Sequence, residues 1–229
     1  MNILSLDSSS KNFSIAICDD EKVLFSKNLK IEKALAESII PAIDSVLKNG
    51  KVSLCDVDGF SIGLGPGSFT SLRVGLATIK AFCLALKKPV VGISSLDVIA
   101  QGVKDLALDK ICVLSDAKRN MVFSSIYKVK NNCIERVSSY FLCDVKNILK
   151  RIKGECVFVG DGVKIFENEI KSCFKDKKNK ILFADEEYNY AQAVNLTELS
   201  VRRFKKRKID NSITLAPMYL YSKDCQVRK

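Results

Sequence analysis

A carboxylate, hydroxyls and an ammonium stand side by side in Asp7-Ser8-Ser9-Ser10-Lys11. Carboxylate and hydroxyl oxygens are the groups that hold magnesium and phosphate, and a lysine adds a point charge. The run lacks a glycine, the residue that lets backbone amides come close to a phosphate. Asp7, Ser8, Ser9 and Lys11 therefore read as a degenerate phosphate loop, with a tight structural hairpin as the stronger alternative. Asp116 follows its own apolar run as Asp7 follows the first. A second candidate is Gly65-Pro66-Gly67-Ser68. A glycine turn feeding a helix start can bind an anion. It can equally stop one strand and start one helix, and on physics alone that plainer reading is preferred.

The chain contains no histidine. A Ser-His-Asp or Cys-His nucleophile needs an imidazole to take the proton, so those chemistries are excluded. Zinc sites of the His-x-x-x-His or His-Glu-x-x-His kind, and with them a metallopeptidase, are excluded too. Phosphoryl transfer and carboxylate-held magnesium remain open.

The 229 residues are 47% hydrophobic and 28% charged, an ordinary globular mixture long enough for one large domain or two lobes. The N-terminus lacks the basic start and apolar core of a signal peptide. The run Val74 to Leu86 is short of the roughly 20 residues that span a bilayer. A cytoplasmic protein with no membrane association is the expectation. The nine cysteines contain no Cys-x-x-Cys pair. Cys18, Cys83, Cys112 and Cys156 lie in apolar runs and read as buried reduced thiols. Cys55 and Cys225 have little to recommend a redox role. The formal net charge of +11 favours polyanionic partners or a solvated exterior. One basic cluster stands out: Arg202, Arg203, Lys205 and Lys206, continuing through Arg207 and Lys208. It reads as a phosphate contact to a nucleic acid or as a solvated helix end.

The elements that must position these groups follow from periodicity. Asn2–Asp7, Phe13–Cys18 and Val23–Leu29 alternate as a meander of strands with polar turns. Ile31, Leu35, Ile39, Ile43 and Val46 make a helical stripe ending at Asn49-Gly50, with Pro41 predicting a kink. Val57 to Leu64 is a buried strand, Ser68 to Lys87 a helix, Pro89 to Ile93 a strand, and Ser94 or Ser95 caps a further helix. The order then restarts at Lys110 with three strands, a helix (Asp144 to Lys153), a strand (Cys156 to Val159) and a glycine turn. A long helix covers about Tyr190 to Lys206. Two β-β-β-α-β-α units predict an α/β fold of two lobes, 1–103 and 104–229. The helix near 190–206 is a candidate to pack back on the first lobe. This duplication resembles the actin, sugar-kinase and heat-shock-chaperone superfamily, whose first turn, usually Asp-x-Gly-Ser/Thr, cradles a nucleotide phosphate. The alternative function it raises is an ATP-binding kinase or ATPase using Asp7 to Lys11.

The helix Ser68 to Lys87 is apolar on more than one side and carries only Arg73 and Lys80 before Lys87. A surface helix should show one polar face, so cover on a second side is expected. Ser71, Gly75 and Thr78 form a line of small residues that would let another helix approach. That cover could come from within the chain or from a partner.

Here the residues carry a closer resemblance. GLGPGSFTSLRVG is similar to the signature GxGPGSFTGLRxG of the TsaB (YeaZ) family. ILSLDSSSKNFSIAI resembles its ILxIDTSTxxxSVAL, PVVGISSLDVIAQ its VxGVSSLEALA, and LSDAKRNMVFSSIY its xIDARRxEVYxxxY. FVGDGV and PMYLYSKD match its GDGA and PxYLR segments. The set spans most of the chain, in order. Ser71 stands where the family has glycine in FTGLR, and Tyr221 where it has arginine in YLR.

The resemblance implies a non-catalytic scaffold in the machinery that makes threonylcarbamoyladenosine beside the anticodon of tRNA. It implies pairing with a larger homologue, TsaD, which holds the metal and transfers the threonylcarbamoyl group, and with the ATPase TsaE. It assigns no catalytic or metal-ligating residue and no bound cofactor to this chain; ATP and a metal belong on the partners. Pairing through the first two helices points to Leu35, Ile39, Ile43, Ser68, Phe69, Leu72, Arg73, Leu76 and Ile79 as partner-interface residues. An exposed apolar helix pair could also form a homodimer when the partner is absent.

Overall fold

The computed structural model describes residues 1–20, 22–31, 34–175 and 180–221, so Cys225 and the end of the PMYLYSKD segment lie outside the described residues. In chain order the elements are β1 (Asn2–Asp7), β2 (Asn12–Asp19), β3 (Lys22–Lys30), α1 (Leu35–Gly50), β4 (Gly59–Gly63), α2 (Phe69–Leu86), β5 (Val90–Ile93) and α3 (Ser95–Gly102). The order continues with β6 (Lys110–Asp116), β7 (Met121–Lys130), β8 (Cys133–Arg136), β9 (Phe141–Asp144), α4 (Val145–Leu149) and β10 (Cys156–Val159). It ends with α5 (Gly162–Ile165), α6 (Glu167–Phe174), β11 (Ile181–Phe183) and α7 (Ala193–Lys205).

The chain divides into two compact units. The first comprises Met1–Val98 and Ala191–Met218, the second Ile99–Tyr190 and Tyr219–Lys229. The division falls a few residues before the sequence-based boundary, and the chain returns to the first unit with α7.

The first unit is a five-stranded sheet in the order β3-β2-β1-β4-β5. β1 to β3 are antiparallel, while β4 and β5 run parallel to β1. Strand alternation sends Leu4, Leu6, Phe60 and Ile62 to one face. There they meet Leu35, Ile39, Ile43 and Val46 of α1 and Leu76, Ile79 and Cys83 of α2 in one core. Ile3 and Val91 face the other way and meet Val201 and Phe204 of α7. β1, β2, β4 and β5 are thus buried on both faces, while the edge strand β3 stays largely exposed. α1 runs unbroken past Pro41, because Pro41 lies on the exposed side, where water can take the carbonyl that loses its donor.

The second unit repeats the plan with the order β11-β10-β6-β7-β8, and β9 also pairs with β7. The third strand expected after Lys110 is split in two. β8 and β9 both lie along β7, and between them the Ser138 hydroxyl accepts the Ile126 amide at 2.9 Å and interrupts the ladder. The helix expected over Asp144 to Lys153 ends at Leu149, and β11, α5 and α6 were not legible. The eight described cysteines are free thiols. Burial pushes Cys83 up to about 11 and Cys156 up to about 12, as expected for thiols packed as small apolar groups.

Ile79 is fully buried where α2 meets the sheet. Ile79→Ala should lower unfolding stability by about 2–5 kcal/mol, read as a lower urea midpoint at unchanged slope.

Candidate functional site

α2 divides cleanly into two faces. Leu72, Gly75, Leu76, Ile79 and Cys83 are buried. Thr70, Arg73, Ala77, Ala81 and Leu84 are exposed and recur three and four residues apart, with Lys80 partly exposed on the same stripe. Leu84 is 60% exposed and Phe69 41%. The Arg73 guanidinium lies 3.8 Å over the Phe69 ring, which holds that corner of the face in shape. Lys80 donates to the Ile213 carbonyl at 2.9 Å, so the stripe is flanked by a segment whose Ile213 side chain is 72% exposed. On α1 the outward apolar residue is Ile40, 52% exposed.

This corrects most of the sequence-based interface. Leu35, Ile39, Ile43, Leu76 and Ile79 are core residues, held against the sheet of their own unit, and Leu72 is buried beside Gly65. Only Ser68, Phe69 and Arg73 of that set face outward. The sequence showed an all-round apolar helix but could not say which side the sheet would take. Ala77, Ala81 and Leu84 are exposed on that outward side and were not in that set. The small-residue line was also misread, because Gly75 faces Ser8 and Leu6 of the same unit rather than another helix: a Cβ on it would stand 2.4 Å from Ser8 Oγ. α2 is long and apolar enough by composition to cross a membrane, yet its inner face is part of a sheet-packed core.

The loop after β1 is closed. Asp7 is fully buried. Its Oδ1 accepts the Ser9 amide at 2.8 Å and the Ser9 hydroxyl at 2.6 Å, and its Oδ2 accepts the Ser95 hydroxyl at 2.5 Å. Burial raises its pKa above the ordinary carboxylate value, against the pull of the Ser9 and Ser95 hydrogen bonds. Ser8 is also buried and donates to the Ser71 carbonyl of α2 at 2.9 Å. Of the four residues read as a phosphate loop, only Lys11 is exposed. The structural-hairpin alternative describes the loop, and its oxygens and hydroxyls are spent on one another and on neighbouring elements.

A sequence model of the family described as "TsaD: tRNA N6-adenosine threonylcarbamoyltransferase" matches residues 29–227. The tRNA threonylcarbamoyladenosine biosynthesis protein TsaB of Buchnera aphidicola is 31% identical over 182 residues, covering 77% of this chain and 86% of that relative. The chain belongs to the TsaB (YeaZ) family. The YeaZ structure from Pseudomonas aeruginosa superposes with a TM-score of 0.80 at 20% identity, covering 96% of this chain and 99% of that one. A ROK hexokinase from Thermus thermophilus aligns with a TM-score of 0.50 at 12% identity over 88% of this chain and 99% of its own. The fold is therefore that of YeaZ, and it is shared in outline with the ROK hexokinase.

Against the family pattern, Ser71 fits where glycine is usual. Its hydroxyl meets that of Ser68 at 3.0 Å at the start of α2. Tyr221, in the place of the family arginine, donates to the Ala117 carbonyl and stands edge-on to Phe123, with ring centroids 5.7 Å apart. In the second unit the corresponding carboxylate, half-buried, belongs to the glycine turn. Asp161 accepts the Asp116 amide at 2.9 Å and the Ser115 hydroxyl at 3.1 Å, and burial raises its pKa. Asp116 instead accepts the Lys118 amide at 2.8 Å and pairs with the Lys118 ammonium.

The basic run is not uniformly available. Arg203 donates to the Gly92 carbonyl at 2.8 Å, the Lys208 carbonyl at 3.1 Å and Asp210 at 2.9 Å, so it pins the segment after α7 to the edge strand β5. Arg202 pairs with Glu198 at 3.3 Å and Lys205 with Asp20 at 3.9 Å. Lys206, Arg207 and Lys208 are exposed. The four-residue phosphate contact read from sequence is thus corrected: Arg203 is a structural clamp, and the outward charge begins at Lys205.

Because the folded state raises the Asp7 pKa above 3.8, it holds the proton more tightly than the unfolded chain. The resulting stabilisation is full below the unfolded value and is lost as pH rises through the folded value. Asp7→Asn removes that titration. Its melting temperature relative to wild type should climb as pH rises above the ordinary carboxylate value; a pH-independent offset would contradict the assignment.

Proposed function

We propose that this chain is the non-catalytic subunit of a tRNA threonylcarbamoyladenosine-forming complex, and that it docks a TsaD-like homologue on the outer face of α2. The observation that carries the reading is the second face of α2. Its inner side is used up by the sheet, while Ala77, Ala81 and Leu84 present an apolar strip with small side chains four apart. Such a strip lets a partner helix approach closely, and a strip left bare on a monomer marks an interaction site. α1 contributes Ile40 on its outward side.

The names of the relatives support the pathway. Several curated relatives, among them those of Buchnera aphidicola, Bacillus subtilis and Escherichia coli, are named tRNA threonylcarbamoyladenosine biosynthesis protein TsaB. The closed Asp7 loop, whose carboxylate is taken up by Ser9 and Ser95, supports a scaffold over a kinase or ATPase. In this reading ATP and the metal are held by the TsaD-like and TsaE-like partners in the cytoplasm, tRNA is met through the complex, and the bare strip allows a homodimer when the partner is missing.

Ala77→Glu and Leu84→Glu place a charge in the proposed seam without touching the core. Each should weaken binding of the TsaD-like partner by roughly 30-fold or more in calorimetry, while the melting temperature stays near wild type. Wild-type affinity in both variants would sink the docking assignment. For tRNA, glutamate at Lys206, Arg207 and Lys208 together should flatten the salt dependence of tRNA binding by the assembled complex. An unchanged salt slope would assign that run to solvation.

A further inference from the structure

We infer that Asp7 is a positioning residue for the docking helix: the loop after β1 is a latch that fixes where α2 begins and how it is rotated. The inference rests on the reading of α2 as the docking element. The turn Gly65 to Ser68 carries the chain from β4 into α2, and each of its ends is tied back to the same carboxylate.

The first end is Gly65. Its amide donates to Ser95 Oγ at 3.0 Å, and Ser95 Oγ in turn donates to Asp7 Oδ2. The Gly65 carbonyl accepts the Ser95 amide at 2.8 Å and the Ser94 hydroxyl at 3.2 Å. The second end is Ser68, the N-cap of α2. Its amide donates at 2.7 Å to the carbonyl of Ser9, the residue whose amide and hydroxyl both hold Asp7 Oδ1. One turn further on, Ser8 holds the Ser71 carbonyl.

Three glycines leave the space for this contact. A Cβ on Gly63 would stand 1.8 Å from Asp7 Oδ2, one on Gly67 2.0 Å from the Ser9 carbonyl oxygen, and one on Gly75 2.4 Å from Ser8 Oγ. Two of these obstacles involve a buried carboxylate or backbone, which cannot swing aside. The loop and the first two turns of α2 are therefore fitted to each other. A carboxylate suits the centre because it only accepts, and three donors converge on it. Any shift of α2 along or about its axis would break the bonds of Ser68 to the Ser9 carbonyl and of Ser8 to the Ser71 carbonyl, and would disturb the two serines that hold the buried Asp7 carboxyl, which is expensive. The orientation of Arg73, Ala77 and Leu84 is thereby set by a residue that touches no partner.

The test compares Ser95→Ala, which removes the link between Asp7 and Gly65, with Val201→Ala, a core truncation under α7 on the opposite face of the sheet. Asp7→Asn, which keeps an acceptor for Ser9 but turns a donor toward Ser95, is the second latch variant should Ser95→Ala not fold. Hydrogen exchange in the free chain reports on the latch, and affinity for the TsaD-like partner reports on its consequence. The latch variant should speed exchange at the amides of the first turns of α2 and weaken partner binding by about tenfold. Val201→Ala should do neither, whatever its loss in melting temperature. Unchanged exchange at the start of α2 in the latch variant overturns the inference. So does a loss of affinity that simply follows the loss of melting temperature in both kinds of variant. Failure of the docking reading shows separately, as wild-type affinity in Leu84→Glu, and leaves the exchange result to decide the latch.

Discussion

The structure of the first unit is organised around one carboxylate that has no access to water. An ionised or protonated Asp7 in that position must find its hydrogen bonds within the protein, because burying it unpaired would cost several kcal/mol. Ser9 and Ser95 supply the bonds, and in doing so they bring together the end of β1, the turn before α2 and the start of α3. The second unit meets the same need differently. There the carboxylate is the half-buried Asp161 in the glycine turn, and the strand end, Ser115 and Asp116, supplies the donors. Both halves fasten the first hairpin to the turn preceding a helix, with donor and acceptor exchanged.

The consequence for function lies in what each helix of the first unit has left to offer. α7 is committed to one face of the sheet, through Ser5 and Thr197 hydroxyls 2.6 Å apart as well as through Val201 and Phe204. α1 spends its apolar stripe on the core. α1 leaves Ile40 on its outward side, and α2 leaves Ala77, Ala81 and Leu84 there while its other side packs into the core. The loop after β1 is filled by the chain itself, its carboxyl and hydroxyls taken up by Ser9, Ser95 and the Ser71 carbonyl, so what it holds in this structure is the start of α2. The Arg203 clamp extends the same economy: a cation that looks like nucleic-acid chemistry in sequence closes the edge of β5 through Gly92 and Asp210.

Much of this was legible in the sequence where a local rule governs. The Asn2–Asp7 and Asn12–Asp19 strands follow from alternation, and the start of α2 at Ser68 from its capping hydroxyl. The ordered family motifs carried the two-unit fold. What was not legible depends on partners distant in sequence. The burial of Leu72 and Leu76 and the exposure of Ala77 and Leu84 are decided by the sheet, since an all-round apolar helix has no preferred side of its own. The closure of the Asp7 loop needs Ser95, 88 positions away, which no local pattern names. The split of β8 from β9 hangs on one serine hydroxyl competing with the ladder.

The central claim is that the outer face of α2 is the surface that meets the TsaD-like partner. Methyl NMR of the chain titrated with that partner addresses it at the residues themselves. The methyl signals of Ala77, Ala81 and Leu84 should shift or broaden to saturation at one equivalent, while those of Val201 under α7 and Val163 in the second unit stay in place. A titration that saturates with the three α2 methyls unmoved and others displaced would contradict the account.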